Sequence, residues 1–281
     1  MGRDPTVGIA LGGGAARGLA HIVVLEALDE MGVKPSYIAG CSIGALLGAA
    51  YASGLSAKEI REHAISVLGT PGKAARQLFW PKGSERSSKT VNFGLFRPIT
   101  LNALGLVQLV SHPDMVSRIE DTKIPFAVST TDYFSGTDVT IKTGDLETAV
   151  AASIAIPGVI SAPKLDGRVM IDGAYTNPVP VEQVRQHGCD ILVAVDVTGK
   201  PVAQKGNSAP GSVELMLGST QILQNRITRL QNDLSKPDVV ITPDIDRFSA
   251  HEFLKIEKIL SAAEPERERL KRQLGPLLEA S

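Results

Sequence analysis

Three groups of residues in this chain combine types and spacings that chemistry can use. The first is Gly40-Cys41-Ser42-Ile43-Gly44, a serine with a glycine two positions to either side. Where such a run joins a buried strand to a helix, the turn forces its central residue into strained backbone geometry, and only small flanking residues avoid a clash. Gly40 and Gly44 provide that clearance. The turn presents the Ser42 hydroxyl at the carboxyl edge of the sheet, beside the positive end of the following helix, where an attacking alkoxide is stabilised. Cys41 stands one strand position earlier, so it is expected to point the other way, into packing, and to be a poor rival nucleophile.

The second group is Gly12-Gly13-Gly14-Ala15-Ala16-Arg17-Gly18. A glycine run lets consecutive backbone N–H groups turn toward one negative oxygen. That oxygen could belong to the tetrahedral intermediate of acyl transfer or to a nucleotide pyrophosphate. The dinucleotide fingerprint fits poorly: counted from Gly12, its third glycine falls on Arg17, and the following strand ends in Ala39-Gly40 without the ribose-binding acid. A P-loop is excluded because no Gly-Lys-Ser/Thr follows. An oxyanion cradle is the better reading.

The third group is Asp172-Gly173-Ala174, which follows the apolar Val169-Met170-Ile171. Its carboxylate would emerge from a strand end and be fixed by a tight glycine turn. Held against Ser42 in a partly dry site, it can take the hydroxyl proton without an imidazole between them. The plain alternative is that Asp172 only forms the turn. A histidine base is the other possibility, with five candidates: His21, His63, His112, His187 and His251. The α/β-hydrolase order of serine, acid and histidine leaves Asp172 or Asp196 with His187 or His251. Both histidines fall at expected surface positions, and only one strand-helix unit precedes Ser42 where that fold has several.

The elements around these groups read as alternating strands and helices. Thr6 to Leu11 is a short apolar strand; from about Leu19 the spacing of Ile22, Leu25, Leu28 and Met31 is helical, with Gly32 as its stop. Tyr37 to Cys41 is a second strand and Ile43 to about Ser53 a second helix. Ser56 and Glu59 have capping-box spacing for a third helix ending near Leu68. Strands follow at Pro125 to Thr131, Val139 to Lys142, Val169 to Ile171, Ile191 to Val197 and Val239 to Thr242. Helices are expected from Asp145, Val181, Val213, Ser249 and Glu264, the last with a solvated charged face. Such alternation makes a parallel sheet covered by helices. Thr70 to Pro113 breaks the pattern with four prolines and Phe79, Trp80, Phe93, Leu95 and Phe96, and reads either as a lid or substrate-facing insertion or as a surface excursion with a small satellite core.

Composition narrows the function classes. The chain has 281 residues, 29 Lys+Arg against 30 Asp+Glu, and two cysteines. A net charge of −1 offers no global field for nucleic acid, and Cys41 and Cys189 form neither a metal-ligand spacing nor a disulfide scaffold. Met1 to Thr6 carry no secretory pattern. The uncharged stretch from Pro35 to Ala57 is interrupted by strand and turn chemistry, so it is expected to be a buried strand and helix rather than a membrane span. Cytoplasmic residence is expected.

Taken together, Leu11-Gly-Gly-Gly-Ala-Ala-Arg-Gly-Leu-Ala-His21, Gly40-Cys-Ser-Ile-Gly44 and Asp172-Gly-Ala174 resemble the three ordered motifs of the patatin-like phospholipases, particularly the compact bacterial members. The resemblance covers roughly Val7 to Val181. It implies a three-layer α/β/α sandwich with a mainly parallel central sheet; the sequence shows no internal repeat or domain boundary, so one domain is expected. It further implies Ser42 as nucleophile, Asp172 as base, the amides of Gly12, Gly13 and Gly14 as oxyanion hole, and Gly40, Gly44 and Gly173 as supports. Arg17 would position the loop, meet a lipid phosphate, or lie on a helix surface. The implied activity is hydrolysis of acyl esters of phospholipids, lysophospholipids or related lipids, without a metal or cofactor. The implied partners are the lipid substrate and, transiently, a membrane surface. One departure is Ala15, where many relatives have a fourth glycine.

Overall fold

The computed structural model describes residues 4–69, 100–202 and 210–280. Residues 70–99 of the expected insertion, with Phe79, Trp80, Phe93 and Phe96, lie outside the described residues; its remainder carries a helix whose Ala103 and Val107 are buried in the main core. The elements in chain order are β1 (Val7–Leu11), α1 (His21–Met31), β2 (Tyr37–Cys41), α2 (Ile43–Ala52), α3 (Ala57–Leu68) and α4 (Ala103–Val110). Then come β3 (Phe126–Asp132), β4 (Thr137–Ile141), α5 (Leu146–Ser153), β5 (Lys164–Leu165), β6 (Arg168–Asp172), α6 (Val181–His187) and β7 (Ile191–Val195). The chain closes with α7 (Ser212–Ser235), β8 (Val239–Ile241), α8 (Ile256–Ala263) and α9 (Pro265–Glu279).

Among the described residues, five strands run parallel in the order β3-β2-β1-β7-β8, while β4 and β6 pair antiparallel with β3 and β5 with β6. The chain winds outward from β1 through β2 to β3, then returns to lay β7 against the other side of β1. Loops that leave neighbouring strands in opposite directions open a crevice at the carboxyl edge, the usual ligand position in such sheets.

Strand alternation sorts the core into two layers. Ile9, Leu11, Ile38, Val193 and Val195 face a large cluster with α1, α2, α8 and α9. Ala10, Tyr37, Ala39, Leu192 and Ala194 face a smaller one with Val181 and Val184 of α6. The small residues on the second face let α6 come close: a Cβ at Gly8 would lie 2.2 Å from Val184 Cγ1. The sheet is thus sandwiched between helical layers as the sequence suggests.

Local signals hold where they are strongest. The Ser56–Glu59 capping box forms in full, Gly32 ends α1 with φ 67°, and Asp145 caps α5 by accepting from Thr148 N–H at 2.7 Å. Pro35 to Ala57 contains β2 and α2, and no helix among the described residues is long and apolar enough to cross a membrane. Two expectations fail. The helix placed from Ser249 begins only at Ile256, because Ser249 N–H bonds to the Glu252 side chain without starting a helical ladder. The charged face of α9 is not simply solvated: Arg267 binds Glu26 and Glu30 of α1, and Glu26 also holds Arg61 of α3.

Candidate active site

Ser42 sits at the end of β2 and caps α2 with φ 52° and ψ −121°, left-handed backbone that costs a non-glycine residue about 1–3 kcal/mol. Neighbouring packing enforces it. A Cβ on Gly44 would stand 2.2 Å from Leu11 O, and one on Gly40 would stand 2.6 Å from Ala45 Cα, so α2 can fold back over the ends of β1 and β2 only with glycine at both places. The Ser42 N–H donates to Ser153 Oγ at 2.7 Å, and Ser153 Oγ–H donates to Ser129 O of β3 at 2.6 Å. Ser153, fully buried at the end of α5, therefore ties the bend to the sheet. Sequence reasoning missed it, since nothing about an isolated serine indicates which backbone amide it will meet.

Asp172 reaches Ser42 because of how β3 pairs. On one side of β3, Cys41 of β2 is opposite Ser129 and Asp172 of β6 is opposite the next residue, Thr130. The opposite side is taken by β4, whose Thr140 and Val139 pair with the same two residues. Two strands of opposite direction thus end head to head along one flank of β3, with Ser42 and Asp172 at the junction. The Ser42 hydroxyl donates to Asp172 Oδ2 at 2.7 Å, and the other oxygen, Oδ1, accepts from Ala174 N–H at 2.8 Å. A Cβ on Gly173 would lie 2.3 Å from Ser129 O, so the turn after Asp172 requires glycine. Burial raises the Asp172 carboxyl to about 6, against the opposing pull of the bonds from Ala174, Ser42 and Cys41.

Cys41 departs from expectation. Its thiol donates to Asp172 Oδ1 at 3.9 Å rather than packing away from the site. The left-handed bend at Ser42 interrupts strand alternation, so consecutive side chains approach the two oxygens of one carboxylate. Burial, then the charges of Asp172 and Asp138, push the Cys41 thiol well above its ordinary range, which keeps it a protonated and poor nucleophile.

The glycine loop lies beside Ser42: a Cβ at Gly13 would be 3.4 Å from Ser42 Cβ. Its three amides are not equivalent, which corrects the reading of all three as free donors. Gly12 N–H donates to Val195 O at 3.0 Å and Gly13 N–H to Pro178 O at 2.9 Å. Those two bonds fix the loop between β7 and the segment after Asp172. Gly14 N–H has no acceptor among the described residues, and Gly14 is partly exposed. Ala15 has φ 49°, so it occupies the turn rather than regular helix. His21 clamps the loop from beneath: it is fully buried, its pKa is lowered to about 4 chiefly by burial, and the neutral ring donates from Nε2 to Gly12 O at 2.8 Å. Arg17 is buried too, not on a helix surface. Its guanidinium donates to Phe248 O at 3.3 Å and lies within the fields of Asp246 and Asp196, tying the loop to the segment before α8.

The alternative histidine base finds no support in the geometry. His187 is exposed and stacks on Tyr37, at the amino end of β2 and the opposite sheet edge from Ser42. His251 is exposed, and Asp196 accepts from Thr198 N–H rather than from any imidazole.

The three motifs resemble those of one family, and comparison with known families identifies the same one. Residues 9–185 match the family described as patatin-like phospholipase. The chain belongs to that family. An uncharacterized NTE family protein of Mycobacterium tuberculosis is 32% identical over 213 residues, covering 74% of this chain and 53% of that protein. Lysophospholipase NTE1 of Kluyveromyces lactis is 27% identical over 279 residues, covering 90% of this chain and 18% of its own. The chain therefore spans about half the length of the first relative and less than a fifth of the second. Among solved structures, VipD from Legionella pneumophila superposes with a TM-score of 0.50 at 11% identity, over 95% of this chain and 67% of that one, a likeness of fold.

Proposed function

We propose that this chain is a serine acyl-hydrolase acting through a Ser42–Asp172 dyad on acyl esters of phospholipids, lysophospholipids or related lipids. The observation that carries the reading is the 2.7 Å bond from the Ser42 hydroxyl to a buried carboxylate whose affinity for a proton is raised. A base of pKa near 6 is ionised at neutral pH yet basic enough to accept a proton as the hydroxyl attacks.

In this mechanism Ser42 Oγ bonds to the ester carbonyl carbon while its proton passes to Asp172 Oδ2. The carbonyl oxygen, now negative, points at the Gly14 N–H and at the first amide of α2, that of Ile43, which has no partner within the helix. Gly12, Gly13 and His21 hold the cradle in place instead of donating to it. As the tetrahedral carbon collapses, the alcohol departs with the proton from Asp172 and the acyl group stays on Ser42. A water then gives a proton to Asp172 and attacks the acyl carbonyl; Ser42 recovers the proton as the fatty acid leaves. The strain at Ser42 keeps the hydroxyl aimed through both steps.

Ser42→Ala tests the reading. The variant should keep the fold, lose turnover of a chromogenic acyl ester and fail to label with a fluorophosphonate probe. Turnover at the wild-type rate by purified Ser42→Ala protein would refute it.

A further inference from the structure

A helix on a folded domain normally turns its apolar stripe inward. α7 does the reverse. Its inner face is mainly polar: Gln221 Nε2 donates to Thr198 O at 3.1 Å, Gln231 Nε2 donates to Thr176 O at 3.2 Å, and Thr228 is 1% exposed, with Leu217 half-buried among them. Its outer face carries Met216, Leu223 and Leu230 at seven-residue spacing, with Leu234, Leu215 and Ile222 beside them; Leu223 is 64% and Leu234 83% exposed. These six are half of the large hydrophobic residues exposed among the described residues. The carbonyls that anchor α7 belong to the loops framing the dyad. Thr176 follows the turn after Asp172, and Thr198 follows Val197, whose carbonyl abuts Gly14. The apolar face thus stands about one helix diameter, ~10 Å, outside the loops around Ser42.

We propose that α7 seats the protein on a phospholipid bilayer, with the Met216–Leu234 stripe entering the acyl boundary beside the active site. Arg226 and Arg229 choose the occupant. Both are exposed next to the stripe, and neither has an acidic partner at ion-pair distance among the described residues. A second copy packed on this face would draw two arginines from each chain into an apolar seam and strip them of water. At a bilayer their stems lie along the hydrocarbon while the guanidinium groups reach lipid phosphates. The choice of a lipid surface rests on the acyl-lipid hydrolase reading.

The test uses Ser42→Ala protein, so that binding is read without turnover, and sedimentation with vesicles of mixed phosphatidylcholine and phosphatidylglycerol. The parent should pellet with the vesicles. Adding Leu223→Glu and Leu230→Glu, both outward-facing, should weaken partitioning at least tenfold with an unchanged far-ultraviolet spectrum and melting point. Arg226→Gln with Arg229→Gln should weaken it on anionic vesicles and leave neutral ones nearly unaffected; this pair also decides the matter if the glutamate pair misfolds. A parent that stays in the supernatant, variants that pellet like the parent, or a parent dimer that the glutamate pair dissolves would each overturn the proposal. Ester turnover by protein with Ser42 intact is measured separately, so failure of the docking surface and failure of the dyad are told apart.

Discussion

If the Asp172 carboxyl is raised to about 6 by burial, the folded protein holds that proton more tightly than the unfolded chain, where the group titrates near its ordinary 3.8. The sign follows. Well below its ordinary 3.8 the acid is protonated in both states and its ionisation has no effect on stability. As pH rises from about 3 to 7 the unfolded chain ionises first, so stability falls, and above about 7 the cost is constant. The two-unit gap corresponds to under about 1 kcal/mol near pH 4 and about 3 kcal/mol at pH 8. Asp172→Asn removes the charge while keeping the shape, at a loss of about 1 kcal/mol for the acceptor facing Ser42. The variant should therefore be inactive, about 2 kcal/mol more stable than wild type at pH 8, and no more stable near pH 4. Urea unfolding of both proteins at the two pH values measures this. In the proposed mechanism the same protonation sets the rate, so kcat/KM of wild type should fall about tenfold per pH unit below 6 and level off above 7. A variant destabilised equally at both pH values would refute the premise that a charge is held in a dry site at a cost.

Two further substitutions probe how the site is held. Ser153→Ala leaves the Ser42 N–H buried without its acceptor, at about 1–3 kcal/mol; kcat should drop about 10–100-fold with KM little changed, and Ser153→Thr should restore part of it, as steady-state kinetics would show. Ala15→Gly relieves left-handed backbone at φ 49° and should raise the urea midpoint, by up to about 1 kcal/mol in stability, without lowering turnover.

What the sequence discloses about this molecule depends on how far the cause lies from the residue. The serine bend is legible because the clash that selects Gly40 and Gly44 arises within a few residues or from the adjacent strand, and a local pattern records it. The caps at Ser56 and Asp145 are legible for the same reason. The difference between Gly14 and its two neighbours is not, because the carbonyls that occupy Gly12 and Gly13 come from Val195 and Pro178, far along the chain. Arg17 follows the same rule: its place at a helix start leaves open whether it positions the loop, meets a phosphate or lies on a surface, because the segment that buries it arrives more than 200 residues later, at Phe248. Asp172 stands between these cases. Its strand and turn could be read locally, but its meeting with Ser42 depends on β2 and β6 ending at adjacent residues of β3, a register no local pattern encodes.

α7 shows a different limit. Periodicity tells which residues share a face, and Met216, Leu223 and Leu230 plainly do. It cannot tell which face the rest of the protein covers, and the ordinary rule, apolar inward, does not hold here: the inward face instead donates to the loop carbonyls of Thr176 and Thr198. Water would satisfy those carbonyls as well, so their bonds to Gln221 and Gln231 contribute only about 1 kcal/mol each, less than turning several leucines inward would give at about 1.5–3 kcal/mol apiece. Taken in water alone, the observed orientation is the weaker of the two. It becomes the stronger one when the outer face also has an apolar neighbour, and that inequality is the energetic reason for placing a bilayer against the helix.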